Sequence, residues 1–345
     1  LILFLPLAKY KEKLQDVLIM MILAEAVTPE TLQVELDQAE KDFQTAQQMF
    51  SPWYAGPLIA GSAHMIPPGF GNIQPYLFAI DNYGTYNGDR HQVGLAHHKW
   101  QLNVPFVIQA GITSWADTSL IPQAFLNWQE GRSSGGWGDT KWQFGLKILA
   151  ESMYVPAIKF VVAETFPCGE YRNLGANKAS IEALGAGSYQ TTFGLNFGKV
   201  VFWNLTHPMQ LRLNVAYTIP SNVHVKGFNA YGGGIGTRGH VSVGNSFLFD
   251  FSTELSLTQN WVFANDIVYT YQDSTSFSGQ PGLLPNGTIA TNGGPSNDQL
   301  SLAPAIEYNW NSNLGVLLGT QFSVYGRNSS AFASAILTVT YFFPF

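Results

Sequence analysis

The residues closest to a catalytic pattern are His240-Val241-Ser242, with Glu254 further along the same stretch. A serine hydroxyl beside an imidazole that a carboxylate orients is the arrangement that makes serine a nucleophile. The stretch that carries them, residues 239–257, has a second property. Val241, Val243, Phe247, Phe249, Phe251, Leu255 and Leu257 fall on odd positions, while His240, Ser242, Asp250, Ser252, Glu254 and Ser256 fall on even ones. A period of two over such a length predicts a strand with different surroundings on its two faces. On one continuous strand, fourteen residues at about 3.3 Å each place Glu254 about 46 Å from His240, too far to orient it. The alternation also sends His240 and Ser242 to the polar face, together with Asp250 and Glu254.

Other chemistry is thinly represented. Asp89, His91, His97 and His98 share one segment, but their spacing fixes no metal geometry. Cys168 is the sole cysteine and has no Cys/His zinc pattern around it. No G-x-S-x-G, P-loop, dinucleotide fingerprint or H-E-x-x-H occurs. No cofactor and no metal are expected. The net charge of −6 argues against a nucleic-acid partner.

The elements that position these residues are strands. Charged residues make up 12% of the 345-residue chain, against 14% aromatic, with 34 glycines. Soluble domains carry about a quarter charged residues. Beyond the N-terminal region no apolar run reaches the roughly 20 residues a spanning helix needs. Alternation instead recurs in KWQLNVPFVIQAGI, KWQFGLKILAE, MQLRLNVAYTI and LSLAPAIEYNW, predicting twelve strands between residues 72 and 343. Short links such as SM, TQ and NS alternate with long ones, for example 168–187 and 274–298. Sorting of loops by parity is the pattern of a transmembrane antiparallel up-and-down β-barrel in the outer membrane of a Gram-negative bacterium. The phase turns Phe106, Phe144, Leu213, Phe249 and Ile306 toward lipid, including lipopolysaccharide. It turns Lys141, Lys147, Arg212, Asp250, Glu254, Asp266 and Glu307 toward the lumen. With both signs present, a hydrated, weakly selective path is expected, in which reversing Arg212 or Lys147 to Glu shifts ion preference and spares the fold. A paired polar network that fills the barrel is the competing expectation.

Lys9, Lys11 and Lys13, then VLIMMILA and Ala24-Glu25-Ala26, predict a secretory signal over residues 1–26. Residues 27–71 follow as an amphipathic helix over 28–50, periplasmic or plugging, and a Pro/Gly-rich linker (51–71) into the barrel at 72–345. Thr28 is a candidate N-cap, Pro29 a first helical residue, and Leu32, Leu36, Ala39, Phe43, Ala46 and Phe50 form a narrow stripe. The chain ends AILTVTYFFPF, and Phe345 resembles the terminal signal taken up by the barrel assembly machinery.

GWGDTKWQFGLK (136–147) resembles an element of the outer-membrane barrels of the "MetA pathway of phenol degradation"-like transporter family, with Gly136, Gly138, Asp139 and Lys147 as the matching positions. Gly326-Arg327-Asn328 is similar to a turn near the end of those chains. The resemblance spans 72–345 and implies a porin-like transport channel for small, often apolar or aromatic, solutes. Alternatives are a structural or adhesive barrel with a filled lumen, and, as a minority option, an outer-membrane lipid hydrolase using His240 and Ser242.

Overall fold

The computed structural model describes residues 29–49, 54–202 and 207–345. The signal expected over 1–26 and the candidate cap Thr28 lie outside them. Helix α1 (Pro29–Met49) is a unit of its own, with Pro29 in its first turn, Gln33 donating to Asp37 at 2.9 Å, and Leu32 and Leu36 exposed.

The second unit is built on one closed antiparallel sheet. Its strands are β1 (Phe70–Tyr86), β2 (Gln92–Thr113), β3 (Ala116–Ile121), β4 (Gln123–Gln129), β5 (Arg132–Trp137), β6 (Thr140–Leu149), β7 (Ala157–Phe166), β9 (Gln190–Val201), β10 (Met209–Pro220), β14 (Ser246–Ser256), β15 (Trp261–Gln272), β17 (Asn297–Asn311), β18 (Leu314–Arg327) and β19 (Ser329–Pro344). Pro122, which has no amide hydrogen, separates β3 from β4, and Gly138-Asp139 separates β5 from β6. Each pair makes one stave, so the wall has twelve. β1 pairs with β19 from Phe70↔Pro344 to Tyr86↔Ser329, which closes the barrel and removes its edges. This is the fold class that the alternation and loop parity predict.

Phase holds through the wall. Phe106, Phe144, Phe249 and Ile306 are exposed on the outside, whereas Asn214, Asp250 and Glu307 are buried inside. Aromatic rings gather near the short turns, with Trp261 4.7 Å from Tyr308 and Tyr308 5.2 Å from Trp310, centroid to centroid. That is the girdle position in a membrane barrel.

Residues 239–257 depart from the expectation of one continuous strand. The chain leaves the wall at Val243–Asn245. β13 (Arg238–Ser242) pairs with β11 (Val223–Lys226) and β16 (Ser276–Gln280) in a separate three-stranded sheet at the long-loop end. Val241, expected to face lipid, is instead fully buried with Val223 and Val225, with Tyr171, Tyr231, Val243 and Phe277 packed on them. A period of two reports two unlike faces and does not say which sheet supplies them. A Cβ on Gly244 would collide with the Asp273 backbone, so glycine there permits the crossing between sheets.

The long loops knit together. β8 (Arg172–Leu174) pairs with β12 (Phe228–Asn229), the Tyr231 hydroxyl donates to the Ala186 carbonyl at 2.6 Å, and the Gly293 amide donates to the Tyr231 carbonyl at 2.8 Å. Burial pushes the Tyr231 hydroxyl up to about 12, so it stays a donor at neutral pH. Short helix α2 (Ala179–Glu182) packs inside the β4–β5 hairpin, where Asn127 donates to the Ile181 carbonyl at 2.7 Å.

Candidate functional site: a lumen crossed by residues 54–66

Residues 54–66, within the segment expected to be either periplasmic or a plug, run inside the barrel. Their backbone lacks a sheet to pair with, and buried amides and carbonyls need partners. Luminal side chains supply them. Glu307 accepts from the Ala55 amide at 2.6 Å, and the two Asp266 oxygens accept from Leu58 and Ala60 at 3.1 Å each. Asp117 accepts from Ile66 at 3.3 Å. Asn214 donates to Gly61 at 3.2 Å, Asn196 to Ser62 at 3.3 Å and Lys159 to His64 at 3.1 Å. Tyr54 meets Pro208 and Ser256 near the short turns, Gly61 meets Asn214 at mid-strand, and Pro68 bridges Gly111 back toward the turns. The segment therefore arches through the half of the lumen nearest the short turns.

Apolar packing adds to this. Leu58 is buried against Ala264, Ala303, Ala305, Leu317 and Ile336. A Cβ on Gly319 would lie 2.7 Å from Leu58 Cδ1, and one on Gly111 would collide with the Pro67 carbonyl. Glycine at those two wall positions is what admits the segment.

The predicted luminal charges separate into groups. Arg212 Nε lies 2.6 Å from Glu254, and both are buried. Asp266 and Glu307 are spent on the segment's amides, and Asn309 also donates to Glu307. Asp250 is buried beside Asn214 with no side-chain hydrogen bond among the described residues. Lys141 lines the remaining cavity. Lys147 does not, being exposed at the short-turn end of β6. Sequence phase missed Lys159–Asp117, a buried pair at 3.2 Å, because β7 reads as apolar. Single glycines inside strand patterns, such as Gly111 and Gly319, are the available sign that something approaches the wall closely.

Glu151, in the turn after β6, ties the segment to the rim. His64 Nε2 lies 2.9 Å from it, Lys199 3.0 Å, and the Val200 amide donates at 2.6 Å. Burial alone would raise this carboxyl, but the hydrogen bonds from His64, Val200 and Lys199 outweigh it and hold the group below its usual value. A depressed carboxylate contributes stability above the unfolded value of about 4.3 and loses it as pH falls through the folded value. Wild-type protein should thus lose unfolding resistance below about pH 4.3, and Glu151→Gln should show a flatter profile. Superimposable profiles would remove Glu151 from this role.

The cavity left beside the segment measures about 590 Å³ and is walled by Asn72, Gln74, Gln109, Gln143, Thr192 and Asn196 with Val107, Ile121, Val161 and Leu248. A second cavity of about 420 Å³ lies under the loops, lined by Gln123, Asp139, Gln190, Tyr231 and Gln272. Thr218 lines both. Of the MetA-like positions, Asp139 accepts from the Gly169 and Ala186 amides at 2.9 and 2.7 Å, anchoring the loop above it. Gly138 leaves room for the Phe125 ring, and Gly136 faces Leu184. Gly136, Gly138 and Asp139 thus sit together at the break between β5 and β6, whereas Lys147 lies near the other end of β6.

The catalytic alternative has no geometry behind it. His240 sits on β13 of the loop sheet, ring to ring with His224 at 5.1 Å, while Glu254 is held by Arg212 inside the barrel. Among the described residues no group of three or more His, Cys, Asp or Glu could hold a metal.

The architecture is that of a transmembrane β-barrel. The chain is similar to the COG4313 outer membrane channel from Pseudomonas putida F1, at 11% identity and TM-score 0.63, over 83% of this chain and all of that one. That fold fits the resemblance to the MetA-like transporter barrels. The β domain of the Bordetella autotransporter BrkA (10% identity, 79% of this chain, 99% of that one, TM-score 0.43) and the CymD monoaromatic hydrocarbon channel (8%, 81%, 91%, 0.34) are more distant. No family model and no curated protein matches the chain.

Proposed function

We propose that this protein is an outer-membrane channel of a Gram-negative bacterium for small molecules, with residues 54–66 as its constriction. The cavity in the lumen carries this reading. Its amide and hydroxyl wall can hold water, and its Val107, Ile121, Val161 and Leu248 patch suits solutes with apolar or aromatic bodies. A wall built only to be filled has no need of such a space. The short turns, and with them the constriction, lie on the periplasmic side, and the knitted loops lie outside. The exposed aromatic belt suits outer-membrane lipids and lipopolysaccharide, and Phe345, largely exposed, remains available to the assembly machinery.

Planar-bilayer recording of the purified, heat-modifiable protein tests this. Discrete conductance steps and uptake of small aromatic solutes into proteoliposomes are expected. A silent barrel, both intact and after removal of residues 29–66, would establish a filled structural barrel instead.

A further inference from the structure

The Lys and Arg side chains that line the luminal cavity are Lys141, Lys159 and Arg212; no Asp or Glu is among the lining residues. The carboxylates stand behind the surface, where Asp117 meets Lys159, Glu254 meets Arg212, and Asp266 and Glu307 meet backbone amides of the arch. Lys159 and Arg212 are thereby matched. Lys141 is not: its ammonium makes no hydrogen bond and no ion pair with any described residue, although the side chain is half-buried in the barrel wall.

An ammonium taken out of bulk water without a partner is costly, and a wall that places one there invites an anion. Its surroundings say which kind. Across the ladder Lys141 faces Ile121 on one side and Thr165 on the other. The next inward pair is Gln143 with Ser119, and Ala163 faces Gln143 from β7. One ammonium with an amide and hydroxyls suits a carboxylate. A phosphate dianion calls for more charge-assisted donors than are present. Ile121, Ala163 and the nearby Val107 of the same cavity offer contact to a small apolar body.

We propose that Lys141 anchors a luminal subsite for a small monocarboxylate carrying an apolar or aromatic body. This names the substrate class of the channel proposed above and rests on that reading. The subsite lies between the arch and the outer cavity, where a solute entering from the mouth meets the constriction.

Benzoate is the probe, with benzamide as its neutral counterpart of similar shape. Titration calorimetry on the detergent-solubilised, heat-modifiable barrel should show saturable benzoate binding that exceeds benzamide binding at least tenfold. Lys141→Gln should weaken benzoate by about tenfold or more, as expected for loss of a charge-assisted contact, and Lys141→Arg should retain it. Equal binding of the two probes, no saturable benzoate binding, or an unchanged affinity in Lys141→Gln overturns the subsite. Benzoate flux into proteoliposomes separates the two proposals. Lys141-dependent binding without flux keeps the site and defeats the channel, whereas flux indifferent to Lys141→Gln, with no binding, keeps the channel and defeats the site.

Discussion

Removal of residues 29–66 should raise single-channel conductance several-fold, while removal of residues 29–49 alone should leave it unchanged. The segment 54–66 narrows the half of the lumen nearest the short turns, and its amides are held by Asp266, Glu307 and Asp117. Without it those carboxylates face an open, wettable passage, where water replaces the lost donors at modest cost. Closure of the wall begins at Phe70↔Pro344, beyond the deletion, so the ladder is untouched. Some stability is lost all the same. Leu58 leaves its cluster, and burial of one such side chain contributes about 1.5–3 kcal/mol. The expected product is a heat-modifiable barrel with a lower unfolding midpoint and larger current steps. Equal conductance in the two deletions would mean that the arch is not the constriction.

The second large effect concerns Arg212. Sequence phase alone expects Arg212→Glu to shift ion preference and leave the fold intact. With the Glu254 carboxylate 2.6 Å from the guanidinium and both groups buried, that reversal would set two carboxylates together. The cleaner test is Arg212→Met, which leaves Glu254 buried and uncompensated, a situation that costs about 3–5 kcal/mol. Replacing both, Arg212→Met with Glu254→Leu, should recover most of that loss, because a buried pair exchanged for apolar groups is close to neutral. Urea unfolding in lipid would read both variants. If the double replacement is as unstable as the single one, the pair is not the unit that matters and Arg212 acts on the arch directly. Lys147→Glu, at the exposed rim, should change neither stability nor conductance appreciably.

Much of this architecture is determined by local pattern. Alternation in KWQLNVPFVIQAGI or MQLRLNVAYTI needs only the two unlike faces of a strand, and loop parity needs only an even number of staves. The helix at 29–49 and the lipid-facing phase of Phe106, Phe144 and Phe249 follow from the same short-range periodicities. What tertiary structure decided is where those faces end up. Val241 alternates as faithfully as Phe249 does, yet it belongs to a loop sheet, because Gly244 lets the chain pass between layers and Val223 and Val225 offer it a core. Residues 54–66 carry Pro and Gly and no period, so they read as a linker. Only the closed wall, with Asp266 and Glu307 aimed inward at unpaired amides and Gly111 and Gly319 leaving space, gives that segment a place inside. Lys141 and Arg212 share an inward phase, but the pairing that distinguishes them is between strands far apart in sequence, and no spacing along the chain encodes it.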